Sequence, residues 1–296
     1  MVTQSSGPLY ATCAGLELAA LQSRGLPLDD TRAAITEAAE QLANARPTNG
    51  HPREAAEHVL AAIADLTSAK SVITATIETA RARAEAYRTA SRALARHALP
   101  LLPDGARLLT HCWMDSYLIE LVREGRAAGR QWEWIATETR PYLQGARLTA
   151  HTLREMGQRV TLITDSMGAA ALSPGSRIGP VDALVTAADR VSLDGAVVNK
   201  VGTLGLAAAA FAFEVPFYAL VQEPDPRVPR AEDIIIEDRD GAEVLEVAGI
   251  RTASPLVVDA WYPAFDVTPP RFVTRVVTSH GVFRPDEVAG RFAGAR

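Results

Sequence analysis

The sequence predicts an α/β protein with a helical N-terminal domain, residues 1–103, and a Rossmann-like domain with a mostly parallel sheet, residues 104–296. The first part is Ala-rich from Leu9 to about Leu99, and it carries Glu and Arg at helical spacing without strand-like alternation. From Arg107 onward, short apolar runs alternate with stretches long enough for helices. This change of pattern predicts a group of helices followed by strands that helices connect.

Several helices are expected in the first part because turn-forming residues interrupt it at 25–27, 46–52 and 68–71. The last of these helices, roughly Val72 to Ala98, places apolar side chains on one face and is expected to pack on its neighbours. The segment LPLLPDG then ends it.

Four apolar runs in the second part each end on a residue capable of chemistry. The runs are ARLLTH, WIATE, VTLITD and DALVTAAD, and the residues are Cys112, Glu138, Asp165 and Asp189. Runs of this composition are typical of buried parallel strands, and VPFYALV and FVTRVVT add two more. Because ligands bind beyond the carboxyl ends of such strands, we expect the four residues to line one pocket.

Composition argues against several classes of protein. The formal net charge of −5 leaves no broad basic surface, so no nucleic-acid partner is expected. The N-terminus shows no secretory signal, and the longest apolar run, Val201 to Phe213, is shorter than the roughly 18 residues that span a membrane. We expect that run to form a buried helix. The two cysteines, Cys13 and Cys112, favour a reducing, cytoplasmic compartment.

Four segments match the pattern of one family in order and spacing. They are LLTHC, ETRPYLQGARLTA, AADRVSLDGAVVNKVGT and the stretch from Pro263 to Val282. Together they resemble the methylthioribose-1-phosphate isomerases and the ribose-1,5-bisphosphate isomerases. The same superfamily contains regulatory subunits of the initiation factor 2B exchange factor, which share the fold without the activity. The resemblance implies a sugar-phosphate aldose-ketose isomerase, most simply a homodimer.

The resemblance also implies functional positions. It identifies Cys112 and Asp189 as the catalytic pair. It places contacts to the phosphate and sugar of the substrate at Arg46, Gln144, Asn199 and Lys200.

The chemistry of the reaction explains these residue types. Opening the ring of an aldose 1-phosphate and moving hydrogen from C2 to C1 requires groups that transfer protons. We expect Asp189, partly desolvated at its strand end, to serve the ring oxygen and Cys112, with a thiol near its ordinary pKa, to serve the C2 hydrogen. The sequence does not decide between an enediolate and a hydride route. Backbone N–H groups at 202–205 are expected to approach an anion, and no metal or cofactor is expected.

Each candidate also has a structural interpretation. A lone buried cysteine such as Cys112 is usually a small hydrophobic residue. For Asp189 the alternatives are an ion pair with Arg190 or a cap on the following turn. Asn199 is equally suited to cap the glycine-rich turn, and Gln144 to hold its own loop.

Neighbouring residues receive structural predictions. We expect His111 to be hydrogen-bonded in the core, since neighbours on a strand face opposite sides. Glu138 and Arg140 are interpreted as a structural ion pair or a pocket wall, and Asp165 as a pairing or capping residue. Outside the context ARPT, Arg46 would be a solvated arginine.

Two departures from the family pattern leave the substrate open. An Arg-Gly-Ala segment that contributes to phosphate binding is replaced by Ser6-Gly7-Pro8, and Trp113 follows the cysteine where the methylthioribose-phosphate enzymes carry Asn. The expected substrate is 5-methylthioribose 1-phosphate, 5-deoxyribose 1-phosphate or ribose 1,5-bisphosphate. The alternative is a non-catalytic protein that senses a sugar phosphate or nucleotide through the same pocket.

Overall fold

The computed structural model describes residues 5–45 and 50–294. The chain divides into two compact units, Met1–Ala90 and Ser91–Arg296. The division falls within the long fourth helix, earlier than the predicted boundary between residues 103 and 104, and that boundary stays a prediction.

Helices form the described part of the N-terminal region, as the Ala-rich pattern predicts. They are α1 (Gly7–Gln22), α2 (Leu28–Asn44), α3 (Gly50–Ile63) and α4 (Ala69–Ala98). The turn between α1 and α2 contains Gly25 with a φ of +90°, a conformation that favours glycine. The hydroxyl of Ser68 accepts the N–H of Ser71 at 3.1 Å and so caps the start of α4. One buried apolar cluster of the first unit consists of Ala20, Ile35, Ile63 and Val72.

Strands alternate with helices in the second unit. The strands are β1 (Arg107–Thr110), β2 (Glu133–Thr137), β3 (Arg159–Ile163), β4 (Ala183–Ala187), β5 (Arg190–Val191), β6 (Val197–Lys200), β7 (Phe217–Leu220), β8 (Glu246–Val247), β9 (Ile250–Arg251), β10 (Phe265–Thr268), β11 (Arg275–Thr278) and β12 (Gly281–Phe283). The α-helices after α4 are α5 (Ser116–Ala127), α6 (Ala150–Glu155), α7 (Gly168–Leu172), α8 (Thr203–Ala212), α9 (Ala242–Leu245) and α10 (Val288–Phe292).

The central sheet has seven strands in the order β12-β11-β7-β4-β1-β2-β3. Its neighbouring strands run parallel except at the β11–β12 edge. This confirms the predicted α/β class with a mostly parallel, Rossmann-like sheet. The apolar runs supply the buried strands β2 and β4, whereas β3, formed by the run VTLITD, lies at the sheet edge and is largely exposed, so its predicted burial is wrong.

The order of the strands creates a topological switch point. The chain builds β1, β2 and β3 toward one edge, then returns to place β4 on the other side of β1. Leu108 and Leu109 of β1 pair with Ala183 and Leu184 of β4. A crevice opens beyond the carboxyl ends of two strands at such a point, and ligands of open α/β sheets bind there.

A second, antiparallel sheet in the order β10-β6-β5 follows β4. Its register sets Asn199 opposite Asp266 and Lys200 opposite Phe265. This sheet was not predicted, because it joins segments that lie far apart in the sequence.

The apolar run from Val201 to Phe213 contains α8, whose Leu206, Ala207 and Ala210 are buried. Within 5–45 and 50–294, no helix is long and apolar enough to cross a membrane.

Candidate active site

The predicted catalytic pair lies on the two sides of the switch point. Cys112 follows β1 by two residues, and Asp189 follows β4 by two residues. The Asp189 carboxylate is close enough for its charge to raise the pKa of the Cys112 thiol. The structure therefore brings these two candidates together.

The backbone of Cys112 adopts a φ of +66°, in the left-handed region that non-glycine residues rarely occupy. Its N–H donates to Thr139 Oγ1 at 3.0 Å, and its carbonyl accepts a hydrogen bond from Thr149 Oγ1. Such a conformation costs about 1 kcal/mol or more, so surrounding contacts must maintain it.

The Cys112 thiol differs from the prediction that its pKa is ordinary. Its pKa is raised to about 12, chiefly by burial and to a lesser degree by the charges of Asp189 and Asp165, while the Lys200 ammonium opposes this shift. A thiol with this pKa holds its proton at neutral pH. The expectation of a readily exchanging thiol is therefore wrong for this structure.

Asp189 is exposed, so the predicted desolvation at its strand end is also wrong. Its backbone N–H donates to the carbonyl of Val198 at 2.9 Å, which fixes the end of β4 against β6. Neighbouring Arg190 directs its guanidinium to Asp225, at 3.3 Å. Among the ion pairs of the described residues, Arg190 therefore pairs with Asp225 and not with Asp189.

The predicted binding residues Asn199 and Lys200 end β6, and both are buried. The Lys200 ammonium donates to the carbonyl of Ala264 at 2.8 Å and lies 4.5 Å from the centre of the Phe265 ring. Asn199 Nδ2 donates to Thr203 Oγ1 at 3.0 Å. This bond supports the alternative in which Asn199 holds the turn, and it leaves the amide oxygen for other contacts.

The N-terminus of α8 already holds an anion from the chain itself. The carboxylate of Asp266 accepts the N–H of Gly202 at 2.7 Å and that of Leu204 at 3.1 Å. The expectation that these N–H groups approach a ligand anion is therefore corrected. Burial raises the pKa of Asp266 to about 6, although the two N–H groups and Lys200 oppose this shift.

The ETRP segment is fixed by Asp165 at the end of β3. Its two carboxylate oxygens accept the backbone N–H groups of Thr139 at 2.7 Å and Arg140 at 2.6 Å. The predicted capping role of Asp165 is thus observed. The Arg140 guanidinium donates to the carbonyls of Pro141 and Val244, and no ion pair joins Glu138 and Arg140 in the described ranges.

Gln144 is almost fully buried, and its side-chain Oε1 has no hydrogen-bond partner among the residues that the structure describes. The next residue, Gly145, approaches β2 so closely that a Cβ there would lie 1.8 Å from the Thr137 carbonyl oxygen. An unsatisfied buried oxygen costs about 1–3 kcal/mol and is a natural acceptor for a ligand hydroxyl.

His111 is buried and hydrogen-bonded, as predicted. Its Nδ1 lies 2.6 Å from Thr137 Oγ1, and its Nε2 lies 3.0 Å from the carbonyl oxygen of Val201. Burial lowers the pKa of the ring, which favours the neutral form. Because a carbonyl only accepts, Nε2 carries the proton and Nδ1 accepts from the Thr137 hydroxyl.

Arg46 lies outside the described residues. Ser6 is buried directly before α1, and Trp113 is partly buried beside Cys112 in sequence. The effect of either residue on substrate choice stays a prediction. No cluster of three or more His, Cys, Asp or Glu side chains within the described ranges is arranged to hold a metal ion.

Sequence reasoning missed Thr139, Thr149 and Asp266 as parts of the site. All three lie inside the segments ETRPYLQGARLTA and PAFDVTPP that carry the resemblance. The threonines gave no chemical signal, because a threonine hydroxyl that binds a backbone resembles any other threonine in sequence, and the carboxylate of Asp266 does not lie at the end of one of the four apolar runs.

The doubly wound α/β domain carries a thiol, a carboxylate and a buried lysine near its switch point. This arrangement is typical of a protein that binds a small molecule. The model of the Initiation factor 2 subunit family matches residues 7–285, and the chain belongs to this family.

Similar curated proteins carry isomerase names. A methylthioribose-1-phosphate isomerase of Pelotomaculum thermopropionicum is 38% identical over 93% of this chain and 77% of its own length. A 5-deoxyribose 1-phosphate isomerase of Moorella thermoacetica is 36% identical over 93% of this chain and 80% of its own length.

Solved structures similar to this chain include both an isomerase and an initiation factor subunit. The 5-methylthioribose 1-phosphate isomerase of Pyrococcus horikoshii OT3 is 29% identical with a TM-score of 0.90, covering 98% of this chain and 84% of that one. Subunit delta of the translation initiation factor eIF-2B from A. fulgidus is 32% identical with a TM-score of 0.85, covering 95% and 83%.

Proposed function

We propose that the protein is an intramolecular oxidoreductase that converts a ribose 1-phosphate derivative into the corresponding ribulose 1-phosphate form. The observation that carries the proposal is the meeting of Cys112 and Asp189 at the switch point, with Lys200 close enough to lower the thiol's pKa. Relatives named for 5-methylthioribose 1-phosphate and 5-deoxyribose 1-phosphate support this reaction class. Ribose 1,5-bisphosphate is the third candidate substrate.

Asp189 is assigned to the ring oxygen. The phosphate on O1 blocks a free aldehyde, so the ring opens only when its oxygen receives a proton and the bond from C1 to that oxygen breaks. An exposed carboxyl group at the mouth of the crevice is accessible to a bound sugar. The opened intermediate is electron-poor at C1, which then takes hydrogen from C2.

Cys112 receives a revised role. A thiol with a pKa near 12 is a poor resting base, so its burial favours transfer of the C2 hydrogen with its electron pair directly to C1. C2 becomes a carbonyl when its hydroxyl loses a proton, which replaces the proton that the ring oxygen gained. The neutral thiol packs against the reacting carbons and excludes water from the electron-poor centre.

Lys200, Gln144, Asn199 and Arg46 are assigned to substrate binding. The buried ammonium of Lys200 suits the C1 phosphate, because its charge already reaches Cys112. The unsatisfied Gln144 Oε1 suits a sugar hydroxyl. The amide oxygen of Asn199 is assigned as an acceptor for a sugar hydroxyl and Arg46 as a donor to the phosphate, as the family resemblance implies.

Turnover of a substrate panel tests the proposal. The panel contains 5-methylthioribose 1-phosphate, 5-deoxyribose 1-phosphate, ribose 1-phosphate and ribose 1,5-bisphosphate, with proton NMR following loss of the anomeric signal. Conversion of one member is expected and identifies the 5-substituent. Cys112→Ser is expected to lower turnover while ligand affinity is retained. Failure to convert any member would contradict the proposal.

A second candidate is a non-catalytic regulatory protein, favoured by the likeness to the initiation factor subunit from A. fulgidus. In that case sugar phosphates or nucleotides bind, as calorimetry would show, and wild type and Cys112→Ser behave alike. The presence of both a thiol and a carboxylate at the switch point supports the enzyme instead.

We also propose a homodimer in the cytoplasm. The segment from 235 to 261 exposes large apolar side chains that a second copy would cover: Ile235, Ile250, Leu256, Val257, Val258 and Trp261. Both cysteines are free thiols, which suits a reducing compartment. Sedimentation of wild type and Trp261→Glu tests the dimer. A dimer that Trp261→Glu weakens is expected, and a monomeric wild type would contradict the proposal.

A further inference from the structure

Two side-chain hydrogen bonds hold the backbone of Cys112, one at each of its peptide groups. The N–H is bound by the hydroxyl of Thr139 at 3.0 Å, and the carbonyl by the hydroxyl of Thr149. Both threonines are fully buried, so water does not compete for either bond. The two bonds act on the residue whose φ of +66° needs external support.

The two threonines are themselves fixed by different contacts. Thr139 also has a positive φ, and its N–H donates to Asp165 at 2.7 Å. Thr149 ends the π-helical turn Gly145–Thr149, whose first residue is pressed against the carbonyl of Thr137. The hydroxyls therefore approach Cys112 from the two ends of one folded segment, in which Gly145 also packs against Thr139.

We propose that Thr139 and Thr149 are positioning residues that hold Cys112 in the left-handed conformation and so aim its thiol into the switch-point crevice. Without either hydroxyl, the peptide relaxes toward negative φ, and the partly buried thiol turns away from Lys200 and Asp189 toward solvent. The inference rests on the proposed function only for its effect on turnover, because the position of the thiol can be measured without a substrate.

Alkylation of Cys112 by iodoacetamide, followed by mass spectrometry of its peptide across pH, measures this position. Burial keeps the wild-type thiol protonated and slow to react. Thr139→Val and Thr149→Val are each expected to speed alkylation at pH 8 by about 10-fold or more, because an exposed thiol has a pKa near 8.5. Thr139→Ser and Thr149→Ser keep the hydroxyls and are expected to restore the slow profile.

Thr274→Val provides a control for the loss of the same kind of bond at an exposed position. The hydroxyl of Thr274 accepts the N–H of Phe217 at 3.0 Å, the same kind of bond as that of Thr139, but at the amino end of the sheet. This variant is expected to keep the wild-type alkylation profile and turnover.

Turnover gives the second measurement. In the valine variants kcat is expected to fall by about 10- to 100-fold with KM nearly unchanged, since a small displacement of a reacting group has effects of this size. The proposal is overturned if both valine variants match Thr274→Val in alkylation. If wild type converts no sugar phosphate, the proposed function fails while the alkylation result still decides the roles of the two threonines. Should one valine variant not fold, the other tests the same conformation independently.

Discussion

The two strand ends of the switch point are built in opposite ways. After β1, Cys112 sits in a left-handed conformation fixed by two buried hydroxyls, and burial raises its pKa to about 12. After β4, Asp189 is exposed and its backbone continues into a regular sheet. Under the proposed function the difference separates two tasks: the exposed carboxyl group exchanges protons with the substrate, whereas the partly buried, neutral thiol keeps water from the reacting carbons.

The sharpest test of this comparison is the relative effect of removing each group. Asp189→Asn is expected to lower kcat by about 10²- to 10⁴-fold, the usual contribution of general acid–base catalysis. Cys112→Ser keeps a neutral side chain and is expected to cost less, about 10- to 100-fold. Steady-state turnover by NMR measures both. A larger loss for Cys112→Ser than for Asp189→Asn would reverse the assigned tasks.

Asp266 is a second carboxylate near the switch point and, unlike Asp189, it is partly buried. Its pKa is about 6 when folded and about 3.9 when unfolded, so the folded state binds more protons between these values. The free energy of unfolding therefore falls as pH rises from about 4 to about 6, by roughly 3 kcal/mol from this group alone. Urea unfolding between pH 4 and pH 7 measures it. Asp266→Asn is expected to remove this slope, and an unchanged slope in the variant would contradict the assignment.

The Lys200 ammonium opposes the rise in the pKa of the Cys112 thiol. Lys200→Met is expected to raise KM by about 10- to 100-fold, because a charge-assisted hydrogen bond to the substrate phosphate is lost. Lys70, the other lysine of the chain, is exposed in the first unit and provides the control Lys70→Met. Equal KM values for the two variants would show that Lys200 does not contribute to substrate binding.

Replacement of Gln144 should have the smallest effect: affinity for the ligand should fall while the free energy of unfolding rises. Gln144→Leu removes an unsatisfied buried oxygen and is expected to raise the free energy of unfolding by about 1 kcal/mol. Ligand binding by calorimetry should weaken about 5- to 10-fold as a sugar contact is lost. A variant that loses stability without losing affinity would identify Gln144 as a purely structural residue.

The sequence allowed the sheet to be predicted because it depends on local patterns, whereas the family resemblance singled out Cys112 and Asp189, whose catalytic role stays a prediction. Apolar runs mark strands, and Cys112 and Asp189 stand where those runs end. The bonds from Thr139 and Thr149 and the carboxylate of Asp266 depend on contacts between distant segments, as does the β10-β6-β5 sheet. The pKa of Cys112 was mispredicted for the same reason, since burial is a property of packing.

The proposed transfer of hydrogen from C2 to C1 is tested most directly by converting the substrate panel in deuterium oxide and examining C1 of the product by NMR. The buried, protonated thiol predicts conversion of at least one sugar phosphate with no solvent deuterium at C1, because hydrogen passes from C2 to C1 within the substrate. Conversion with deuterium at C1 would mean that Cys112 or another group acts as a base. Absence of conversion across the panel would contradict the isomerase itself.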